Sequence, residues 1–148
     1  MIRVIAEDRN IKLVFQRLIG RHYGINARQF SCVMANNGIT GAIELLIDTC
    51  KNPRMEKVML VADEAGFERK KFAEAMKDEH VRSKACLVLV PDSIEQWVSS
   101  VNNIPLPKKR DLPSLIQGSS LVETLEQEEI VKNFLSFLDC NPCSNPLF

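Results

Sequence analysis

Apolar and polar positions alternate along this chain in blocks of two lengths. Short, nearly continuous apolar runs occur at "IRVIA" (Ile2–Ala6), "QFSCVMA" (Gln29–Ala35), "KVMLVAD" (Lys57–Asp63) and "ACLVLVP" (Ala85–Pro91). Runs of this kind are expected of strands buried on both faces. Longer segments with helical spacing separate them. Ile11, Val14, Phe15, Leu18 and Ile19 fall on one helix face, with Asp8 or Asn10 to cap the start and Gly20 or Gly24 to end it. "ITGAIELLIDTCK" follows the "NNG" break, turns Ile43, Leu46, Ile47 and Cys50 inward, and stops at Asn52-Pro53. "FERKKFAEAMKDEH" predicts a third helix with Phe72 and Met76 on its apolar side, and "SIEQWVSSV" (Ser93–Val101) a short fourth.

Strand and helix thus alternate four times. The alternation predicts an α/β fold: an open, mostly parallel sheet of about four strands with helices on both faces. Right-handed crossovers put the C-terminal end of every strand on one edge, where such sheets bind ligands. The α/β body is expected to occupy residues 1–104. A Pro-rich basic connection, 105–118, reads as a linker or surface-hugging loop. In the last part, 119–148, "SLVE" (Ser120–Glu123) has the form of a capping box. It opens a helix with an Ile130, Phe134, Phe137, Leu138 stripe that must dock on the body, followed by a loose tail.

Composition narrows the class. The chain has 148 residues, enough for one domain with a sizeable core, and 45% of them are hydrophobic. Lys+Arg and Asp+Glu number 19 each, so the overall charge draws it neither to nucleic acid nor to an anionic membrane. No run approaches a membrane span and "MIRVIAEDRN" lacks a signal-peptide core, so no membrane partner and a cytoplasmic setting are expected. Of the five cysteines, three lie in apolar segments as small core side chains, and the odd count argues against a disulfide scaffold. "CNPC" (Cys140–Cys143) has no second ligand pair to make a zinc site and reads as incidental.

The candidate chemistry sits at the predicted strand tips. Glu7 and Asp8 follow the first strand, Asp63 and Glu64 the third, and Asp92 and Glu95 the fourth. If the strands are parallel these acids converge, and converging carboxylates repel unless a hard divalent ion such as Mg²⁺, or Mn²⁺ in its place, neutralises them. Asp8 has a second use as a helix cap, and Asp92 and Glu95 have one as an Asp-x-x-Glu capping box. Glu7 and Asp63 end their strands before any helix begins. The basic runs Arg69, Lys70, Lys71 and Lys108, Lys109, Arg110 offer phosphate contacts in principle, although a solvated helix face and loop are the simpler account of them. Trp97 is expected to pack its helix on the sheet, and His22 and His80 to sit near helix ends.

"VIAED" before an amphipathic helix, "KVMLVADEAGF" and "LVLVPDSIEQWV" together resemble the Toprim fold. More narrowly, they resemble the small relatives of the overcoming-lysogenization-defect nucleases. The resemblance covers roughly residues 1–101, with a weaker echo in "NFLSFLD". It implies Mg²⁺-dependent handling of nucleic-acid phosphodiesters, either as a nuclease-like activity or in an accessory role. It makes Glu7 the acid/base group and Asp63 a metal ligand, with Glu64 and Glu95 as further metal-site carboxylates. Ala65 stands where the family's Asp-x-Asp motif has its second aspartate. A lesser resemblance, to receiver domains, reads Glu7, Asp8, Asp63, Ser93 and Lys108 as a phospho-acceptor site, but the fifth strand of that fold is hard to find after Val101. The alternative from another class is a non-catalytic α/β module that binds a protein partner or a second copy of itself.

Overall fold

The computed structural model describes residues 1–24 and 29–139. Cys140 and Cys143, and with them "CNPC", lie outside the described residues. Four strands form one parallel sheet: β1 (Ile2–Ala6), β2 (Phe30–Met34), β3 (Lys57–Asp63) and β4 (Ala85–Val90), in the order β2-β1-β3-β4. The apolar runs explain why. Val58 to Ala62 are almost wholly buried, and alternate residues of β3 enter two separate cores.

Those cores are the two faces of the sheet. Leu60 and Val58 join Leu46 and Cys50 of α2 (Gly38–Cys50), Phe72 and Ala75 of α3 (Arg69–Ala75), and Val81 of α4 (Glu79–Lys84). Met59 and Val61 join Phe15 and Leu18 of α1 (Arg9–Tyr23) and Ile94 and Trp97 of α5 (Ile94–Asn102). The same face carries α6 (Leu112–Leu115), α7 (Ser119–Leu125) and α8 (Glu129–Asp139), through Leu112, Val122, Leu125, Val131, Phe134 and Leu138. Phe15 is the hub: its ring lies 4.8 Å from Phe134, edge-on, and 6.3 Å from Trp97. The C-terminal stripe is therefore docked on the body as its amphipathic pattern requires.

Several expected elements differ in detail. The third helix is two: α3 ends at Ala75, and Asp78 starts the next, its carboxylate accepting from the His80 and Val81 N–H groups. The C-terminal helix is likewise two, broken over residues 126–128, and Gly118 rather than Ser120 is the N-cap of α7, so the "SLVE" capping box does not form. The Pro-rich connection is more than a surface loop. It holds a 3-10 turn (Lys109–Asp111) and α6, and it buries Leu112 and Ile116. Cys32 and Cys50 are free thiols, their pKa values pushed up to about 11 by burial, while Cys86 is fully buried in the core as expected but is disulfide-bonded. Among the described residues no helix is long and apolar enough to cross a membrane.

Candidate functional site

The strand order has a consequence for the C-terminal edge. From β1 the chain leaves through α1 onto one face, and from β3 it leaves through α3 onto the other. Since β1 and β3 are neighbours, their two exit loops part there and open a crevice, the position at which open α/β sheets hold ligands. Glu7, Asp8 and Asp63 stand at that crevice.

Register brings them together. Ala6 pairs with Val61, so the chain just past β1 runs beside the end of β3. The Glu7 N–H donates to the Val61 carbonyl at 3.0 Å, and the Glu7 Oε2 accepts from the Asp63 N–H at 2.9 Å. Asp63 shares the sheet face of Met59 and Val61, towards α5, and its Oδ1 accepts from the Ile94 N–H at 2.8 Å. Asp8 is the N-cap of α1, its Oδ1 accepting from the Ile11 N–H at 2.9 Å.

Glu95 was expected either in a capping box or near the metal. The capping box is absent. Ser93 caps α5 through its Oγ, which accepts from the Gln96 N–H, and Asp92 is held in the left-handed region at φ 56°. Glu95 is instead turned inward, only 5% exposed, and its Oε1 accepts from the Asn10 Nδ2 at 3.0 Å. The other Asn10 amide hydrogen goes to the Lys109 carbonyl at 2.9 Å.

Electrostatics show which groups feel one another. Burial raises the Asp63 pKa from 3.8 to about 7, helped by the negative charges of Asp8, Glu7 and Glu95 and opposed by the Ile94 N–H. Burial also raises Glu7. The Asp63 N–H opposes that rise, Asp8 adds to it, and the Lys109 ammonium works against it. The edge is therefore four carboxylates, Glu7, Asp8, Asp63 and Glu95, with Lys109 as a nearby cation.

The remaining expected residues divide. Glu64 does not join the cluster: being next to Asp63 on a strand end it points away, and with Arg69 it lines a groove of about 430 Å³ between β4 and α8. Lys71 is paired to Glu68 at 2.9 Å and donates to the Thr40 Oγ1, while Lys70 is exposed on α3. Lys108 and Arg110 are exposed on either side of Lys109. Trp97 packs on Phe15 as expected, and His22 and His80 lie in the last turn of α1 and the first of α4. Among the described residues there is no fifth strand that could carry Lys108.

The donor set can be tested against a divalent ion. Each of the four carboxylates commits one oxygen to an N–H donor, leaving the other without a hydrogen-bond partner among the described residues. Among the described residues no group of three or more His, Cys, Asp or Glu side chains is placed to hold a metal ion. One or two free carboxylate oxygens fit Mg²⁺, which keeps most of its waters, and do not fit an all-protein cage such as a structural zinc or calcium site.

Asn10 and the approach of Lys109 to Glu7 were not foreseen. Asn10 had a signal. It lies four residues before Val14 and eight before Leu18, so a polar residue begins the buried stripe of α1. Lys109 had none, because long-range contacts, among them the Asn10 bond to its carbonyl, place it.

No family profile, curated protein or solved structure matches the chain.

Proposed function

We propose that the crevice between β1 and β3 holds a hydrated Mg²⁺ ion, replaceable by Mn²⁺, and acts on nucleic-acid phosphodiesters, as the Toprim resemblance implies. The observation that carries this reading is the meeting of Glu7 and Asp63 at the sheet's switch point. There, burial first and the neighbouring carboxylates second raise the Asp63 pKa to about 7.

Asp63 would hold the ion through the oxygen it does not spend on the Ile94 N–H, a bond that fixes the carboxylate plane. Glu7 is anchored through Oε2 and keeps Oε1 to take or return a proton at the attacking or leaving oxygen. Its raised pKa moves that exchange towards neutral pH. Asp8 and Glu95 add negative charge that favours a cation over a bare anion. The bound ion supplies polarisation of a phosphoryl oxygen and a lowered water pKa. With Ala65 in place of the family motif's second aspartate, the chain would offer the ion one protein ligand fewer, and water would have to supply the rest.

The test is cleavage of single- and double-stranded DNA and RNA with Mg²⁺ or Mn²⁺. Glu7→Gln should lower the rate by about 10²- to 10⁴-fold, the usual worth of a positioned acid/base group. Asp63→Asn should demand more metal for the same rate. Equal rates in wild type and both variants would locate any activity elsewhere, and no cleavage by wild type would favour the non-catalytic interaction module.

A further inference from the structure

The basic run Lys108–Arg110 is exposed, yet its backbone is held. On the N-terminal side the Ser99 Oγ donates to the Ile104 carbonyl at 2.6 Å, and the Ile104 N–H donates to the Ser99 carbonyl at 3.1 Å. On the C-terminal side Leu112 is fully buried in the core beneath α1. Between these anchors the tie to the sheet edge is Asn10, itself 7% exposed. Its two amide hydrogens are divided between Glu95, 85 residues away in the chain, and the carbonyl of Lys109, 99 residues away.

A buried amide that spends both hydrogens on two remote segments fixes their relative position. One of those segments belongs to the acidic edge, and the other carries the cation that Glu7 feels. The Lys109 ammonium, like the cationic groups of its strap neighbours, forms no ion pair among the described residues. An ammonium outside any ion pair, whose charge Glu7 feels, is available to a third party. A phosphodiester is drawn to an ammonium and repelled by the bare carboxylates.

We propose that Asn10 is a positioning residue that ties the strap Lys108–Arg110 to the acidic edge, so that Lys109 meets the phosphate of a phosphodiester lying beside Glu7. This rests on the reading of the edge as a phosphodiester site and adds to it the chain's own phosphate contact. Asn10 touches no substrate; it acts through Lys109 and Glu95. The strap serves as one lip of the crevice, with the exit loops of β1 and β3 as the rest.

The test is binding of fluorescein-labelled oligothymidylate to the full chain, with Ca²⁺ in place of Mg²⁺ to suppress turnover, over a range of salt concentrations. Lys109→Met should weaken binding about 5- to 10-fold and lower the salt slope by about 1, as expected for one lost phosphate contact. Lys109→Arg, which keeps a cation, should stay within about twofold of wild type. Asn10→Ala should reproduce the Lys109→Met loss, and the double variant should be no weaker than either single one, because both remove the same contact. If Asn10→Ala does not melt cooperatively, Asn10→Ser, which keeps a donor for only one of the two acceptors, takes its place. Additive losses, an unchanged salt slope in Lys109→Met, or Lys109→Arg binding as poorly as Lys109→Met would overturn the proposal. Wild-type protein that binds no oligonucleotide would overturn the phosphodiester reading and this proposal together. Wild-type binding left intact by Lys109→Met would overturn this proposal alone.

Discussion

Asp63 is the residue whose setting departs furthest from its chemistry. Its pKa is raised from 3.8 to about 7, so between those values the folded chain holds a proton that the unfolded chain has lost. Stability contributed by this group is therefore full below about pH 4 and falls as pH rises through 7. Asn in its place keeps an oxygen to accept from Ile94 and carries no charge. Asp63→Asn should raise the melting temperature at pH 8, and the advantage should vanish by about pH 4. The gain should be about 1–2 kcal/mol, well below the full linkage value because solvent screens a half-buried carboxylate. Thermal melts across pH check this; an equal shift at pH 4 and pH 8 would assign the effect to packing. The sequence already marked Asp63 and Glu7, because each ends an apolar run before a helix begins. It could not give Glu95 its role. Asp92 and Glu95 have capping-box spacing, but Ser93 reaches the helix N–H first and frees Glu95 to meet Asn10.

At the scale of elements, hydrophobic spacing located every strand and most helices, and it failed where local polar bonds interrupt a continuing pattern. Asp78 is one such place, since its carboxylate starts a new helix inside a stretch whose apolar spacing runs on. The entry to α2 is another. "NNG" was legible as a break, but how tight the break is depends on contact. Asn37 and Gly38 both take the left-handed conformation, which folds the chain so that a Cβ at Gly41 would lie 1.8 Å from the Asn36 carbonyl oxygen. That obstacle is backbone and has little freedom to yield. Gly41→Ala should destabilise the fold by about 1–3 kcal/mol, despite alanine's better helix propensity, and lower the urea midpoint. A midpoint at or above that of wild type would mean the turn can open without cost. The strap belongs to this scale too: prolines and lysines suggested a loop, and only the burial of Leu112 and Ile116 makes it part of the body.

For the whole molecule, the acidic edge implies a measurable linkage to divalent ions. If the crevice binds Mg²⁺ or Mn²⁺ in the native state alone, the melting temperature at pH 8 should climb with the logarithm of ion concentration, by about 2.7 kcal/mol of stability at a hundredfold excess over Kd. Asp63→Asn should flatten that climb, and Ca²⁺ should give a smaller one where the shell demands octahedral geometry. A wild-type melting temperature indifferent to all three ions would leave the carboxylates as caps and anchors for their loops. The sequence by itself determined the α/β class, the four strands, the docked C-terminal stripe and the acids at the strand tips, because burial period and strand-end position are properties of neighbours along the chain. The tertiary structure alone decided the strand order β2-β1-β3-β4, and hence that β1 and β3 lie side by side with their exits parting. It also decided that Glu64 turns to the β4 groove while Glu95 turns inward, and that Asn10 bridges Glu95 to the Lys109 carbonyl. Those facts depend on register and on hydrogen bonds between residues some 85 to 99 positions apart, a separation over which no local pattern in the chain can report.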